Sequence, residues 1–249
     1  ADAAMLDLAN EDEVAAFYRL TVDLRPVNEV TVPDMFPLPR LLDLLDSARG
    51  SCVFSITDLE DAFFTIALAE ADRYKTAFSI HNGHYEFCVM PQGARNAGNC
   101  WARHVRFTFD DIPSCEVMVY QDDISAHAPT YMLLFDRMQT VYDRVKAKKN
   151  VLKLSKTHLD YPEITFLGHV LNDKGRRPCP KKTAAIRELA MPTTVKEVQC
   201  LLGMLTFYRD YIPAFATIAT PLYSMLKKGI VFTEVWGDDR ICTVTQTIL

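Results

Sequence analysis

Two adjacent carboxylates, Asp122 and Asp123, follow Tyr120-Gln121 at the end of the apolar run 117–119. Successive side chains of a regular strand point to opposite faces, so one charge would enter the core that the apolar neighbours imply. A tight hairpin turn avoids this conflict and is predicted here, with both carboxylates exposed at its tip. Such oxygens suit Mg²⁺, which binds through one or two carboxylates plus substrate phosphates. An acidic surface turn is the alternative for the pair alone, because turns favour Asp.

A third carboxylate ends an apolar strand pattern upstream. Residues 53–59 are rich in β-branched and aromatic types and contain one acidic residue, Asp58. This pattern is typical of a buried strand with a carboxylate at its C-terminal edge. We therefore predict one metal centre formed by Asp58, Asp122 and Asp123. Divalent cations bridged by such carboxylates stabilise the attacking and leaving oxygens of a phosphoryl displacement, as in polymerases and nucleases.

The elements that would position these carboxylates alternate between strands and helices. Helical spacing of apolar residues predicts helices over 97–109 and 130–149, and Asn150 can adopt the left-handed conformation that ends the second helix. The order strand, helix, hairpin with acidic turn, helix and strand matches the split β-α-β-β-α-β plan.

Two more elements flank this unit. Residues 74–90 predict a hairpin that turns at Asn82-Gly83, with His81 and His84 as solvated turn residues. Near the C-terminus, Thr194 and Glu197 form a predicted capping box before a helix. The apolar face of that helix consists of Val198, Leu201, Leu202 and Leu205. The C-terminal third is predicted to be mainly helical.

Seven segments, taken in chain order, resemble one family. They are Phe17–Asn28, Phe36–Pro39, Asp58–Phe64, Met90–Gly93 with Asn96, Tyr120–Asp123, Phe166–His169, and Leu201–Gly203 with Phe207–Arg209 and Tyr211–Pro213. Together they resemble the reverse transcriptases of retroviruses and of gypsy-type long-terminal-repeat retroelements. The resemblance implies an α+β fold of the polymerase right-hand type, with a ferredoxin-like palm, fingers and a mainly helical thumb or connection.

The same resemblance implies how the chain is divided. The fingers would comprise residues 1–33 and 67–96, and the palm with the catalytic site residues 34–66 and 97–170. Residues 171–249 would form the thumb- or connection-like helical region.

The resemblance also implies roles for individual residues at the carboxylates. Asp58 and Asp122 would ligate two Mg²⁺ ions, Asp123 would support the site, and Leu59 would lend its backbone carbonyl. Phe63 resembles the bulky residue that excludes a ribose 2′-hydroxyl, so the expected substrate is dNTP. An ordinary core aromatic is the alternative for Phe63.

Other residues are expected to bind substrate or to support the fold. Arg19 resembles the fingers arginine that stacks on the base and contacts the triphosphate, a task suited to a planar cation. Gln92 and Gly93 would lie beside the nucleotide, whereas Arg25 and Asn28 are expected to be structural.

Nucleic acid would be bound at two places. Gly168 belongs to the stretch that resembles the primer grip, and Lys148, Lys149 and Lys153 would form a basic wall facing the duplex. A charged helix end is the alternative for these lysines. The implied partners are an RNA or DNA template, a primer and dNTPs.

Composition indicates a folded globular chain, since 49% of the 249 residues are hydrophobic. No apolar run reaches the roughly 18 residues of a membrane-spanning helix, so no membrane insertion is expected. The seven cysteines are odd in number and show no Cys-x-x-Cys spacing. They are interpreted as free thiols in mostly apolar surroundings, which favours an intracellular location of unspecified compartment.

Charge is where the chain departs from the family. The net charge is −5, and residues 1–50 contain four Arg, no Lys and ten acidic residues. A nucleic-acid polymerase needs a basic footprint, because neutralising phosphates supplies much of its affinity. Residues 140–190 do contain twelve basic residues against five acidic ones. Two further segments depart from the family pattern. Asn96-Ala97-Gly98 stands where the family has Asn-Ala/Ser-Pro, and the polar segment 125–128 stands where it has an apolar strand.

Two hypotheses therefore stand. The intact carboxylates favour an RNA-directed DNA polymerase core that extends a primer. The acidic N-terminal region favours a domesticated, catalytically inactive relative that serves as a structural subunit of a large protein or ribonucleoprotein assembly.

Overall fold

The computed structural model describes residues 21–60, 62–81, 83–189 and 192–227. In these ranges the α-helices are α1 Arg25–Val30, α2 Leu41–Asp46, α3 Glu70–Arg73, α4 Ala97–Phe109, α5 Tyr131–Ala147, α6 Pro180–Arg187, α7 Val195–Phe207 and α8 Phe215–Ser224. Short 3₁₀ helices span Ala62–Thr65, Tyr74–Thr76, Leu154–Lys156 and Arg209–Tyr211.

The strands are short apart from the first. They are β1 Val53–Glu60, β2 Phe78–Ile80, β3 Gly83–Tyr85, β4 Val117–Tyr120, β5 Asp123–Ala128, β6 Val151–Leu152, β7 His158–Tyr161, β8 Glu163–Phe166, β9 His169–Asn172 and β10 Gly175–Pro178.

The main sheet has the order β4-β5-β1, and both β6 and β7 pair with the far edge of β1. All of these pairs are antiparallel. Helix α4 connects β1 to β4, and α5 connects β5 to β6, so the predicted split β-α-β-β-α-β unit is confirmed. The two central strands are the ones that carry the carboxylates.

Hydrophobic side chains cover both faces of this sheet. On one face Val53, Leu59 and Ile124 pack against α4 and α5 in a cluster that we call the helix-side core. On the other face Phe54 and Met118 pack with residues of α2, β8 and β9 in the opposite core. Because both faces are buried, the register of β1 against β5 is strongly specified.

Helices α4 and α5 lie where the sequence predicts them. Helix α5 begins after Thr130, whose hydroxyl accepts a hydrogen bond from Leu133 N. At its end the left-handed residue is Lys149, with φ 57°, and not Asn150 as predicted. Asn150 is instead buried and lies within hydrogen-bond distance of His104 Nε2. Its side chain therefore serves packing, and the neighbouring lysine adopts the left-handed conformation.

The hairpin formed by β2 and β3 is confirmed, but its turn is shifted by one residue. Ile80 pairs with Gly83, so Gly83 belongs to the strand and the turn lies before it; Asn82 lies outside the described residues. The hairpin was predicted over 74–90, whereas the ladder spans only residues 78–85. Beyond it, Met90 N donates to Ile66 O over 2.8 Å. His81 and His84 are exposed, as predicted.

A three-stranded sheet, β8-β9-β10, precedes the helical C-terminal region and was not predicted. The boundary between residues 170 and 171 falls inside β9, and the division into fingers, palm and thumb stays a prediction. Helix α7 begins with the expected Thr194 cap, which accepts from Glu197 N over 3.2 Å. The returning carboxylate bond goes to Thr193 N, one residue earlier than in a regular capping box.

The C-terminal helices pack around a third cluster, the C-terminal helical core. It is formed by Ile186, Val198, Leu201, Leu202, Leu205, Tyr208, Ala219, Leu222 and Met225. The predicted apolar face of α7 lies entirely within this cluster.

The cysteines correct one expectation. The six that lie in the described ranges are free, but four of them are exposed: Cys52, Cys88, Cys115 and Cys200. Mostly apolar surroundings are therefore wrong for them. Within the same ranges, none of the helices has both the length and the apolar character to cross a membrane.

Candidate active site

The acidic turn connects β4 to β5 through two residues, Gln121 and Asp122. Tyr120 pairs with Asp123, and Gln121 adopts φ 53°. The predicted hairpin is confirmed, but the predicted exposure of both carboxylates is wrong. Gln121 is the exposed residue, and Asp122 and Asp123 are half-buried. Asp123 is the first residue of β5, so its side chain starts at the sheet and not at the tip.

Strand pairing brings the third carboxylate to the turn. Asp58 and Asp123 are directly opposed in the β1–β5 ladder, and opposed side chains share one face of a sheet. Leu59 N donates to Asp122 O over 3.0 Å, which fixes the turn against β1. Two like charges are thereby held side by side, an arrangement that costs free energy without a cation.

Electrostatics at the turn favour the arrival of positive charge. Burial, and then the charge of Asp58, raise the pKa of both Asp122 and Asp123. Asp122 Oδ1 is buried and has no hydrogen-bond partner in the described ranges. The indole of Trp101 approaches closely enough to oppose the rise in the Asp122 pKa, but its Nε1 does not reach hydrogen-bond geometry.

Lys156 supplies the cation that contacts these carboxylates. Its Nζ lies 2.6 Å from Asp58 Oδ2, and the Asp58 side chain is only 15% exposed. The charge of Lys156 also opposes the rise in the pKa of Asp122 and Asp123, but burial and the charge of Asp58 outweigh it. Lys156 follows the lysines that were predicted to face the duplex, and sequence reasoning did not assign it to the carboxylates. The β1–β7 pairing joins Phe54 to Tyr161 and Ile56 to His158, more than 100 positions apart in sequence, so it could not be predicted from local pattern.

The donor set fits Mg²⁺. The described part of the chain has no group of three or more His, Cys, Asp or Glu side chains arranged as a complete metal site. Mg²⁺ does not need one, because it is held by one or two carboxylates together with water and substrate phosphates. The opposed Asp58 and Asp123 and the unpartnered Asp122 Oδ1 provide such oxygens.

A cavity of about 450 Å³ opens beside the carboxylates. Its lining includes Asp58, Asp123, Lys156, Tyr161 and Thr165, so it runs from the acidic turn towards β8. The volume lies in the range of small-molecule sites, roughly 300–1,000 Å³.

Phe63 lies in the 3₁₀ helix just after β1. It is half-buried and packs against the helix-side core. This position is compatible with both the sugar-excluding role and the core alternative. Arg19 lies outside the described residues.

Gln92 and Gly93 lie in a loop that is held by hydrogen bonds to the Asn28 side chain. Asn28 Nδ2 donates to Gly93 O over 2.9 Å, and its Oδ1 accepts from Arg95 N over 2.7 Å. Asn28 is therefore structural, as predicted. Gly93 has φ 88° and open space around its Cα, so backbone is accessible there. Across the described ranges no hydrogen bond or ion pair joins this loop to the carboxylates.

Asn96 has a role that sequence reasoning missed. Its side chain accepts from Asp34 N over 2.9 Å and donates to Val32 O over 2.8 Å. The side chain thus pairs with the 32–34 backbone as a strand would. The nearby Arg103–Asp34 ion pair, at 2.7 Å, adds a second tie. An isolated Asn offers no pattern by which this contact could be predicted.

The predicted basic residues are only partly grouped with the site. Lys148 and Lys149 are exposed beyond α5, and Lys153 is half-buried. Lys153 N donates to Asp58 O over 2.8 Å, which links the basic segment to β1 through the backbone.

Gly168 forms the second half of the β8–β9 turn. Phe166 pairs with His169, and the two connecting residues Leu167 and Gly168 have φ 48° and 82°. Positive φ at both positions is the signature of a type I′ turn.

The polar segment 125–128 is a buried hydrogen-bonded strand. His127 is fully buried, with Ser51 Oγ 2.8 Å from Nδ1 and Ser114 O 3.1 Å from Nε2. Burial lowers the pKa of His127 to about 4, so the ring is neutral near pH 7. The departure of this strand from the family pattern is therefore accommodated by polar packing.

Known proteins resemble this chain in sequence and in fold. A family model described as reverse transcriptase (RNA-dependent DNA polymerase) matches residues 11–171. The chain is 35% identical over 211 residues to the retrovirus-related Pol polyprotein from transposon 297 of Drosophila melanogaster, covering 85% of this chain and 20% of that protein. Identity is 32% over 213 residues to the gypsy polyprotein of the same species, covering 84% and 20%. The chain spans about a fifth of the length of these relatives.

Solved structures support the fold. A foamy viral protease-reverse transcriptase in complex with double-stranded DNA gives a TM-score of 0.82 at 24% identity, covering 92% of this chain and 41% of that one. The same kind of protein in complex with an RNA/DNA hybrid gives 0.76 at 24% identity, covering 92% and 32%. The polymerase right-hand fold expected from the sequence is thereby confirmed. The family model matches more than half of the 249 residues of this chain, so the chain belongs to the reverse transcriptase (RNA-dependent DNA polymerase) family.

Proposed function

We propose that this chain is an RNA-directed DNA polymerase core that extends a primer with dNTPs. One observation carries the proposal: Asp58 and Asp123 are opposed in the β1–β5 ladder, next to an Asp122 oxygen that is buried without a partner. Like charges held together in this way need a cation, and nucleotide triphosphates bring phosphate ligands for it.

Asp58 and Asp122 would hold Mg²⁺, with Asp123 and the Leu59 carbonyl in support. Two bound ions would supply charge that stabilises the attacking and leaving oxygens of an in-line phosphoryl displacement. The chain's own part is to fix the carboxylates on two adjacent strands. The Leu59 N–H to Asp122 O bond keeps the turn aligned with β1.

Substrate selection would fall to residues around this centre. Phe63 follows β1 directly and would exclude the 2′-hydroxyl of a ribonucleotide. Arg19 would contact the triphosphate and base, and Gln92 and Gly93 would lie beside the nucleotide. The open backbone at Gly93 supports close approach of a ligand.

Nucleic acid would contact the basic segment and the β8–β9 turn. Lys148, Lys149 and Lys153 would neutralise phosphates of the duplex, and Gly168 would lie at the primer. The solved relatives bound to double-stranded DNA and to an RNA/DNA hybrid support a template–primer duplex as the partner.

A structural subunit without catalysis is the second candidate. The observation in its favour is the net charge of −5, with ten acidic residues and no lysine among residues 1–50. An excess of negative charge repels duplex and weakens the sequence-independent part of binding. The partner in that case would be a large protein or ribonucleoprotein assembly.

Primer extension separates the two candidates. Purified protein is supplied with an RNA template, a DNA primer, dNTPs and Mg²⁺, and extension is followed for the parent, Asp122→Asn and Asp136→Asn. Asp136 is an exposed carboxylate on α5 and serves as the matched control. We expect Asp122→Asn to lose activity by about a thousandfold, since several kcal/mol of metal charge stabilisation are removed.

Asp136→Asn is expected to extend the primer like the parent. Substantial extension by a folded Asp122→Asn variant would contradict the metal assignment. A folded parent that extends no primer but copurifies stoichiometrically with an assembly would establish the structural subunit instead.

A further inference from the structure

The turn between β8 and β9 is held in a conformation that its sequence does not favour. Leu167 adopts φ 48°, a region that costs a bulky L-residue about 1–2 kcal/mol. Such a conformation persists only where the surroundings over-determine it. The contacts that impose it therefore identify what the turn is built to do.

Gly168 is fastened through its carbonyl and by close packing. Its oxygen accepts from Cys179 N over 3.2 Å and from the buried Tyr208 hydroxyl over 3.1 Å. A Cβ at Gly168 would lie 3.1 Å from Lys182 Nζ and 3.4 Å from the Phe207 ring. Helices α6 and α7 thus approach the turn from the C-terminal side.

His169 anchors the other end of the turn. It is fully buried, and its Nδ1 lies 2.8 Å from the Tyr211 hydroxyl. The ring stacks on Phe207 with centroids 5.1 Å apart, and Tyr208 meets it edge-on at 5.6 Å. Three aromatic residues from the end of α7 and the following 3₁₀ helix therefore enclose one histidine.

The turn also joins two separate cores. Leu167 packs on the opposite core beneath the sheet, whereas Tyr208 is part of the C-terminal helical core. A rigid link at this point makes the turn move with the helices. Without it, a two-residue turn in a strained conformation would relax independently of them.

We propose that Tyr208 and His169 are positioning residues that lock the Leu167–Gly168 turn to the C-terminal helices and so set the place of the primer relative to the carboxylates. The inference rests on the proposed function for its ligand, a primer–template duplex. The lock itself is a property of the chain and is tested separately.

The test compares Tyr208→Phe with Tyr223→Phe in the full chain. Tyr208→Phe removes only the hydroxyl that donates to Gly168 O, and Tyr223 is an exposed tyrosine on α8 that serves as the control. Amide hydrogen exchange is followed at residues 167–169 and, for reference, along β1. Primer–template Kd and the kcat at saturating duplex are measured in parallel.

We expect Tyr208→Phe to accelerate exchange at the turn by about tenfold, as the loss of one buried hydrogen bond predicts. Exchange along β1 should stay as in the parent. Because the bound primer would be less well aligned with the carboxylates, kcat at saturating duplex should fall several-fold, whereas the Kd for primer–template, which other contacts also support, should change less.

Three outcomes would overturn the inference: unchanged exchange at the turn, an equal rise along β1, or a local rise with an unchanged kcat at saturating duplex. If the parent binds no duplex at all, the proposed function fails. A local rise in exchange would then still establish the lock.

Discussion

Two hairpin turns in this molecule are built alike and stabilised in opposite ways. The acidic turn, Gln121-Asp122, and the β8–β9 turn, Leu167-Gly168, each have two residues and a non-glycine residue at positive φ. At the first, Asp122 keeps a buried oxygen without a partner beside two other carboxylates. At the second, the Gly168 carbonyl accepts two hydrogen bonds.

This difference distinguishes the acidic turn, a candidate cation-binding site, from the β8–β9 turn, a structural element. Lys156 offsets the charge of Asp58, but Asp122 and Asp123 form no ion pair in the described ranges, so the acidic turn keeps uncompensated negative charge until a further cation arrives. Such an arrangement is expected where binding or catalysis is favoured over stability. The β8–β9 turn needs no added charge, because hydrogen bonds to Gly168 O and aromatic packing offset its backbone strain, although the buried Nε2 of the adjacent His169 has no hydrogen-bond partner in the described ranges. A polymerase needs both: a centre that takes up charge and a fixed surface against which the primer is aligned.

Acid should weaken the second turn. The pKa of His169 is lowered to about 4 by burial, then by Arg176 and Lys182, so between pH 6.5 and 4 the unfolded chain binds more protons than the folded one. Stability is therefore lost as pH falls through this window. The loss is up to about 3 kcal/mol, since one pKa unit corresponds to about 1.4 kcal/mol.

Urea unfolding from pH 7.5 to 4.5 measures this effect in the parent, in His169→Gln and in His158→Gln. Because His158 is exposed, the control His158→Gln should show the same pH dependence of the free energy of unfolding as the parent. Because His127 contributes with the same sign, His169→Gln should flatten the dependence without abolishing it. Identical slopes in the parent and His169→Gln would show that the ring is not a neutral buried group.

Replacing glycine by alanine should destabilise the protein more at the crowded Gly168 than at the open Gly93. Gly168 and Gly93 both have strongly positive φ, but a Cβ at Gly168 would meet Lys182 and Phe207, whereas at Gly93 it would meet open space. Gly168→Ala should cost about 2 kcal/mol in the free energy of unfolding and Gly93→Ala about 1 kcal/mol. Chemical denaturation of both variants checks this, and equal costs would contradict the close approach at Gly168.

Removing one charge at the acidic turn should stabilise the protein when no metal is present. Asp122→Asn relieves repulsion with Asp58 in a half-buried site, so the free energy of unfolding in EDTA should rise by about 1 kcal/mol. The control Asp136→Asn should change it by less than about 0.5 kcal/mol. A loss of stability in Asp122→Asn would mean that its charge is already satisfied within the chain.

Local sequence pattern predicted much of this fold. Helix α4 was expected over 97–109 and lies there, because its apolar residues repeat at helical spacing. The acidic hairpin follows from two adjacent charges in an apolar run. The place of Gly83 in strand β3 and the left-handed Lys149 were not predictable, since tertiary contacts decide between neighbouring residues there.

The site was predictable in its carboxylates but not in its surroundings. The proximity of Asp58 and Asp123 could be predicted because each lies at a strand end in a recognisable motif. The contact of Lys156 with Asp58 and the enclosure of His169 depend on segments 98 and 42 residues apart. No periodicity connects residues at such separations, so only the folded structure reveals them.

Direct titration with Mn²⁺, followed by electron paramagnetic resonance, tests whether the acidic turn is a cation site. The parent, Asp58→Asn and the control Asp136→Asn are compared in the same buffer without substrate. We predict that Asp58→Asn weakens Mn²⁺ binding by at least about tenfold, because one of the two opposed carboxylates is neutralised, and that Asp136→Asn binds like the parent. Equal affinity in the parent and Asp58→Asn would contradict the central claim that these carboxylates form the metal centre.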